Sequence, residues 1–273
     1  MDKISQGEGF AEKMAEILGA TSRYQQVEVI AALPEIIPDQ QHAAVARHLQ
    51  SMLSESQALV SSILDCFSNM NIPPDLVEEL QASVLKKLPG CSLSDLPSVV
   101  EFLLNTCTKE KASILIQDFR DKLELTVKVR PSQRPGPGSP RKREAEKNKN
   151  VECIVLDKIA MAIATDKWMG DAWFSAVNTI NDMDEVKSLD ILLLLLLHKN
   201  QQRKKQVESV IRNKIRAGLY SEELVNSTFN RHIAPLKQHT LAVLALAESL
   251  LGSNEDIVIN LLVISRGNEP FYS

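Results

Sequence analysis

Lys205, Arg212 and Arg216 are spaced seven and four residues apart. At about 100° per residue a helix brings all three to one side. Val207, Val210, Ile211 and Ile215 then form the opposite, apolar stripe. Arg203 and Lys204 stand just ahead of them. Aligned cations of this kind suit the phosphates of DNA or RNA, whose binding is dominated by counterion release. The ordinary alternative is a solvated face whose cations suit a helix C-terminus. Lys214 lands near the apolar side and is expected to snorkel. A second basic run, Arg141-Lys142-Arg143 after Pro140, has the composition of a nuclear import signal, or of a soluble linker.

Other chemistry is hard to assemble. The five histidines (His42, His48, His198, His232 and His239) have no H-E-x-x-H spacing, and no cysteine stands beside His42 or His48. The four cysteines (Cys66, Cys91, Cys107 and Cys153) are scattered without a C-x-x-C pair, which speaks for a reducing compartment and against a disulfide framework. Gly7 and Gly9 lack the Gly-Lys-Ser/Thr of a phosphate loop, and no G-x-S-x-G elbow occurs. Trp168 and Trp173 read as packing residues rather than base-stacking platforms. The expectation is therefore no enzyme, no metal, no cofactor and no small-molecule substrate.

The elements that must carry the cations are helices. The 273 residues are 44% hydrophobic but only 4% aromatic, with Leu, Ala and Ile dominant, a balance that favours helix-on-helix packing over a sheet. Leu189 and the lone acid Asp190 lead into an unbroken aliphatic run, Ile191 to Leu197. A helix apolar on every side is buried on every side. This one is far short of the roughly 20 residues a membrane span needs, so it reads as a core helix that others wrap. No basic-then-apolar leader opens the chain, and no membrane association is expected.

Before this run, helix and breaker alternate. Ser22 with Gln25 is a capping-box signature, and Gly19 occupies a candidate left-handed C-cap. Pro34 and Pro38 interrupt the next stripe, with a helix resuming near His42. Pro73-Pro74 open another helix, whose buried face is Leu76, Val77, Leu80 and Val84. Leu96 to Leu103 gives one more, and Ile114, Leu115, Phe119 and Leu123 another. The rhythm predicts an all-α fold, an α-solenoid of stacked antiparallel helix pairs of the HEAT/ARM kind.

Four segments follow from this reading: a helical repeat segment over 1–129, a basic Pro/Gly-rich linker over 130–150 expected to be disordered, a second helical repeat segment over 151–264, and a polar tail over 265–273. The last helices are expected from Pro235 and over Ile257–Ile264, and the tail closes nothing, which reads as part of a longer protein. Charge is uneven. The total is −4, yet residues 1–129 hold 11 Lys/Arg against 18 Asp/Glu, leaving the rest with a balance of +3. The basic second half permits contact with phosphates.

Arg212-Asn213-Lys214-Ile215-Arg216-Ala217-Gly218, followed by Ser227-Thr228-Phe229, resembles a stretch of the Fanconi anaemia group D-two family. Leu33-Pro34-Glu35-Ile36 with Gln41-His42, Asp95-Leu96-Pro97 with Phe102, Ala172-Trp173, and Leu246-Ala247 with Ser249-Leu250-Leu251 match in the same order. The resemblance covers roughly residues 10–260 and resides in the ordered set rather than in any one motif. It implies a non-enzymatic scaffold segment of a nuclear DNA interstrand-crosslink repair clamp. It implies pairing with the group I paralogue, contact with double-stranded DNA, and action by a ubiquitin ligase complex at a lysine outside this chain. The competing reading is a generic helical-repeat adaptor for proteins, with no nucleic-acid role.

Overall fold

The computed structural model describes residues 13–125 and 140–232, Ala15 excepted, together with Leu236. Every long element among them is a helix, and the architecture is the expected all-α solenoid type. The helices are α1 (Arg23–Ile36), α2 (Asp39–Glu55), α3 (Val60–Ser68), α4 (Pro74–Lys87), α5 (Leu96–Asn105), α6 (Ala112–Lys122), α7 (Pro140–Thr165), α8 (Lys167–Asn178), α9 (Ser188–His198), α10 (Lys204–Arg216) and α11 (Glu222–Arg231). They form two compact units, residues 1–107 and 108–273. That division falls ahead of the segment 130–150, where the sequence placed it.

In the first unit, helices two apart in sequence lie side by side: α1 on α3, α3 on α5, and α2 on α4. This is the neighbour pattern of a two-layer repeat stack, in which each hairpin covers the previous one. Leu49, Leu53, Ile63, Leu64, Leu80, Val100 and Leu103 are all but fully buried between the helices. Each such side chain withdrawn from water contributes roughly 1.5–3 kcal/mol. Phe67 and Phe102 add a tilted ring pair with centroids 6.1 Å apart.

Local signals decide the helix ends. The Gln25 Oε1 accepts from the Ser22 amide at 3.0 Å and from Ser22 Oγ at 2.8 Å, tying down the start of α1. Pro74 stands at the start of α4, where its missing N–H costs nothing. Three expectations shift. Pro34 does not break α1 but is held inside its last turn; only one ladder bond is lost there, so the helix ends two residues later. The next helix resumes at Asp39, three residues before His42. Gly19 lies within helical backbone, and the positive-φ glycine among the described residues is Gly218.

In the second unit α9 is the hub. It packs against α7, α8, α10 and α11, and every residue from Leu189 to His198 is buried. That is the wrapped core helix its all-round apolar sequence demands. Helix α6 packs on α8, where Phe119 meets the fully buried Trp173 edge-on at 5.5 Å. One expectation is corrected here. Residues 140–150, read as disordered linker, are helical and form the start of α7. Pro140 is at home in a first turn, and the Arg, Lys, Glu and Ala that follow are good helix formers even with nothing apolar to bury. Residues 126–139, and the helices expected from Pro235 and over 257–264, lie outside the described residues, Leu236 excepted.

Candidate functional site

The aliphatic run forces α9 inside, and α10 is folded against it by the short connection Lys199–Arg203. Val207 and Ile211 turn inward, so the residues opposite them must face out. Lys205 and Arg216 are exposed and Arg212 is partly so, which puts the three cations on the outward side. Lys204 is half-buried.

Arg203 does not join them. It is buried beneath α8, where its Nη2 donates to the Lys167 carbonyl at 2.8 Å and to Asp171 Oδ1 at 2.5 Å. Gly170 makes the approach possible: a β-carbon there would stand 2.5 Å from Arg203 Nη1. Arg203 is thus a fastener between α8 and the start of α10, and sequence adjacency to Lys204 misplaces it. Lys214 is also buried rather than merely snorkelling. Its ammonium donates to the Ile180 carbonyl at 2.5 Å and the Asn178 carbonyl at 3.5 Å, at and just past the C-terminus of α8. Burial holds its pKa below the ordinary lysine value. Arg141, Lys142 and Arg143 fall in the first turn of α7, and their side chains lie outside the described set.

A network that local patterns do not show fixes this platform. Arg120 of α6 and Asp190 of α9 are 70 residues apart and both almost completely buried. Arg120 donates Nε to Oδ1 at 2.8 Å and Nη2 to Oδ2 at 2.5 Å, a bidentate pair. The same guanidinium reaches the Glu185 carbonyl at 2.6 Å and Asp121 Oδ1 at 2.8 Å. Asp190 also accepts the Lys187 amide at 2.8 Å, closing the first turn of α9. Burial works against the charged form of Arg120, but the bonds and charge of Asp190, then those of Asp121, outweigh it and raise its pKa. Lys187 and Tyr220 sit at the margin. Burial lowers the Lys187 pKa, with the Arg120 charge adding to it, and burial raises that of the Tyr220 phenol. The sequence carries one clue, a lone acid at the third position of an otherwise apolar helix, but nothing in it names Arg120.

Helix α10 ends on Gly218, with φ 75°. Its N–H bonds the Ile215 carbonyl at 3.0 Å and the Leu219 N–H bonds the Lys214 carbonyl at 2.9 Å, a Schellman closure that needs the left-handed glycine. This sets the length of the cationic helix and turns Tyr220 inward.

Among the described residues no group of three or more His, Cys, Asp or Glu is placed to hold a metal ion. Burial pushes the thiols away from reactivity, Cys66 up to about 12 and Cys91 and Cys107 up to about 11. None of the described helices is long and apolar enough to cross a membrane. The fold and this surface define a helical-repeat protein that presents a rigidly backed basic helix.

A sequence model of the family described as "Fanconi anaemia protein FancD2 nuclease" matches residues 1–264. The Fanconi anemia group D2 protein homolog of Mus musculus is 32% identical over 269 residues, covering 95% of this chain and 19% of its own length. That of Rattus norvegicus is 32% identical over 269 residues, 95% of this chain and 18% of its own. The Fanconi anemia group D2 protein of Gallus gallus is 30% identical over 270 residues, again 95% and 19%. The chain belongs to the FancD2 family of Fanconi anaemia proteins. It spans less than a fifth of the length of these relatives.

Proposed function

We propose that this chain is a scaffold segment of a nuclear DNA interstrand-crosslink repair assembly, and that it works by the surface it offers rather than as a nuclease. In this reading it pairs with the group I paralogue and lays the outward face of α10 against double-stranded DNA. A ubiquitin ligase complex acts on the assembly at a lysine outside this chain. Family membership supports the pathway.

The observation that supports the DNA-facing role is the division of charge between two differently built units. Residues 1–107 carry 14 Asp/Glu against 6 Lys/Arg, a balance of −8, and repel phosphate. Residues 108–273 carry 25 Lys/Arg against 21 Asp/Glu, a balance of +4, with Lys205 and Arg216 exposed on one side of α10. An asymmetric field of this kind steers a polyanion to the second unit.

Two measurements test the proposal. The chain is expected to co-purify with the group I paralogue at moderate salt, and failure to associate removes the pairing. Changing Lys205, Arg212 and Arg216 together to Glu is expected to weaken binding to a labelled random-sequence duplex and to flatten its salt dependence. Unchanged binding would reduce that face to ordinary solvated surface. Salt-insensitive association with a protein partner alone would favour the adaptor reading.

A further inference from the structure

We infer that the first unit carries a docking pocket for a protein partner, one that presents an acidic peptide segment with a bulky apolar side chain. The inference is independent of the reading of α10.

The pocket opens where the turns that follow α2 and α4 lie side by side. The turn Gln57–Leu59 leads from α2 into α3, and the turn Leu88–Gly90 follows α4. Gln57 Nε2 donates to the Gly90 carbonyl at 3.1 Å, and Ser61 Oγ donates to Asp95 Oδ1 at 2.9 Å. These bonds tie one corner to the other, so the cavity between them, about 370 Å³, is formed before anything enters it. Its floor is aliphatic and comes from four helices: Leu53, Val60, Leu64, Val84 and Val99, all buried. The size suits a large side chain rather than a cofactor.

Charge decides which partner. The first unit has 6 Lys/Arg against 14 Asp/Glu, yet two of the six, Lys86 and Lys87, line this cavity. The lining holds one acid, Glu55. Lys86 is exposed and Lys87 half-buried, and no acid among the described residues pairs with either. Standing in the last turn of α4, they complement its C-terminal end. That role does not require them to border an apolar cavity. Salt screens the repulsion from the rest of the unit beyond roughly 8–10 Å, so the nearest charges govern what can enter. A basic segment would meet two ammonium groups at the lining, while an acidic one would find its counter-ions there.

The test is fluorescence polarisation with the full chain and a fluorescein-labelled peptide, Glu-Glu-Leu-Phe-Glu-Glu. Replacing its Leu-Phe by Ala-Ala is expected to weaken binding at least about tenfold. Replacing its Glu residues by Lys should weaken it at least about threefold. In the protein, Lys86→Gln with Lys87→Gln should cost about three- to tenfold. A β-carbon added at Gly90 meets no atom within 4 Å, so Gly90→Leu can fill the cavity without crowding the helices. It should cost at least about tenfold. Thermal melts monitored by circular dichroism establish that the variants fold. Cys91 gives a readout that needs no substitution, since it lines the cavity and is partly exposed. The peptide should slow its alkylation by iodoacetamide, followed by mass spectrometry, and leave that of Cys153 in the second unit unchanged.

Failure of the peptide to bind would overturn the inference. So would binding that Gly90→Leu leaves intact while Cys91 stays open to alkylation, because the peptide would then sit elsewhere. Equal binding of the Lys-flanked peptide would overturn it as well, since the two lysines would then select nothing.

Discussion

The two compact units solve burial differently. Among the described residues of the first, the buried polar groups are neutral and serve as fasteners for loops. His42 bridges the Ile37 carbonyl at 3.0 Å and the Asn71 amide at 2.8 Å, and Gln81 donates to the Thr106 carbonyl at 2.6 Å. The second unit buries Arg120, Asp190, Arg203 and Lys214 outright, alongside His198 and His232, each 3.2 Å from a glutamate. A neutral fastener costs about one hydrogen bond when lost. A buried charge left without its partner costs several times more. The first unit should therefore tolerate polar-to-apolar change where the second does not, because the second has traded stability for fixed geometry around α9 and α10.

The sharpest way to break that comparison is at Arg120. Arg120→Leu strands the Asp190 carboxylate in the core and is expected to cost about 3–5 kcal/mol in urea unfolding. Asp190→Leu should cost a similar amount. The double replacement should recover most of the loss, since an apolar pair often matches a buried ion pair in stability. In the first unit, Gln81→Leu should cost only about 1 kcal/mol. If the Arg120 and Gln81 variants lose equal stability, the contrast between the units fails.

How much of this was legible follows from how local each signal is. The periodic apolar residues disclose the helices, and the aliphatic run discloses α9 and its burial. The capping pair Ser22–Gln25 and the proline at Pro74 mark their ends. Those are signals within a few residues. The Arg120–Asp190 pair spans 70 positions and rests on α6 returning to α8, which no periodicity encodes. Arg203 shows the same limit from the other side. It sits next to Lys204 in sequence, yet a glycine 33 positions earlier opens a slot that draws it inside. Helical phase puts Lys205, Arg212 and Arg216 on one side, but it is blind to Glu208 lending its carboxylate to a core histidine. Residues 140–150 mislead because composition speaks to burial, while helix formation there needs only propensity and a suitable first residue.

A second, smaller test concerns that slot. Gly170 lies inside α8, where alanine would ordinarily favour the helix by up to about 1 kcal/mol. Here the new methyl would meet the Arg203 guanidinium, which Lys167 and Asp171 hold in place. Gly170→Ala is therefore expected to destabilise the second unit by about 1–3 kcal/mol, the range for overpacking a filled site. Combined with Arg203→Ala, which empties the slot, the substitution should turn neutral or favourable. A loss that is simply additive in the double variant would show that Arg203 does not occupy the slot as described.

The last effect belongs to the first unit and is read through pH. Burial raises the Cys66 thiol from 9.0 to about 12. In the unfolded chain the same thiol ionises near its ordinary value, so above that pH the unfolded state gains a charge the folded state refuses. The contribution of Cys66 to stability is complete below about pH 9 and drains away between pH 9 and about 12, by roughly 1 kcal/mol for each pH unit. Cys66→Ala should lower stability at neutral pH, because a buried group is trimmed, yet flatten the decline between pH 9 and 11. Native thiol labelling at pH 8 gives the companion measurement: Cys66 and Cys107 are expected to react only as fast as the unit opens. Rapid alkylation of either in the folded chain, or an alkaline decline unchanged by Cys66→Ala, would mean that the first unit is less dry than its aliphatic packing requires.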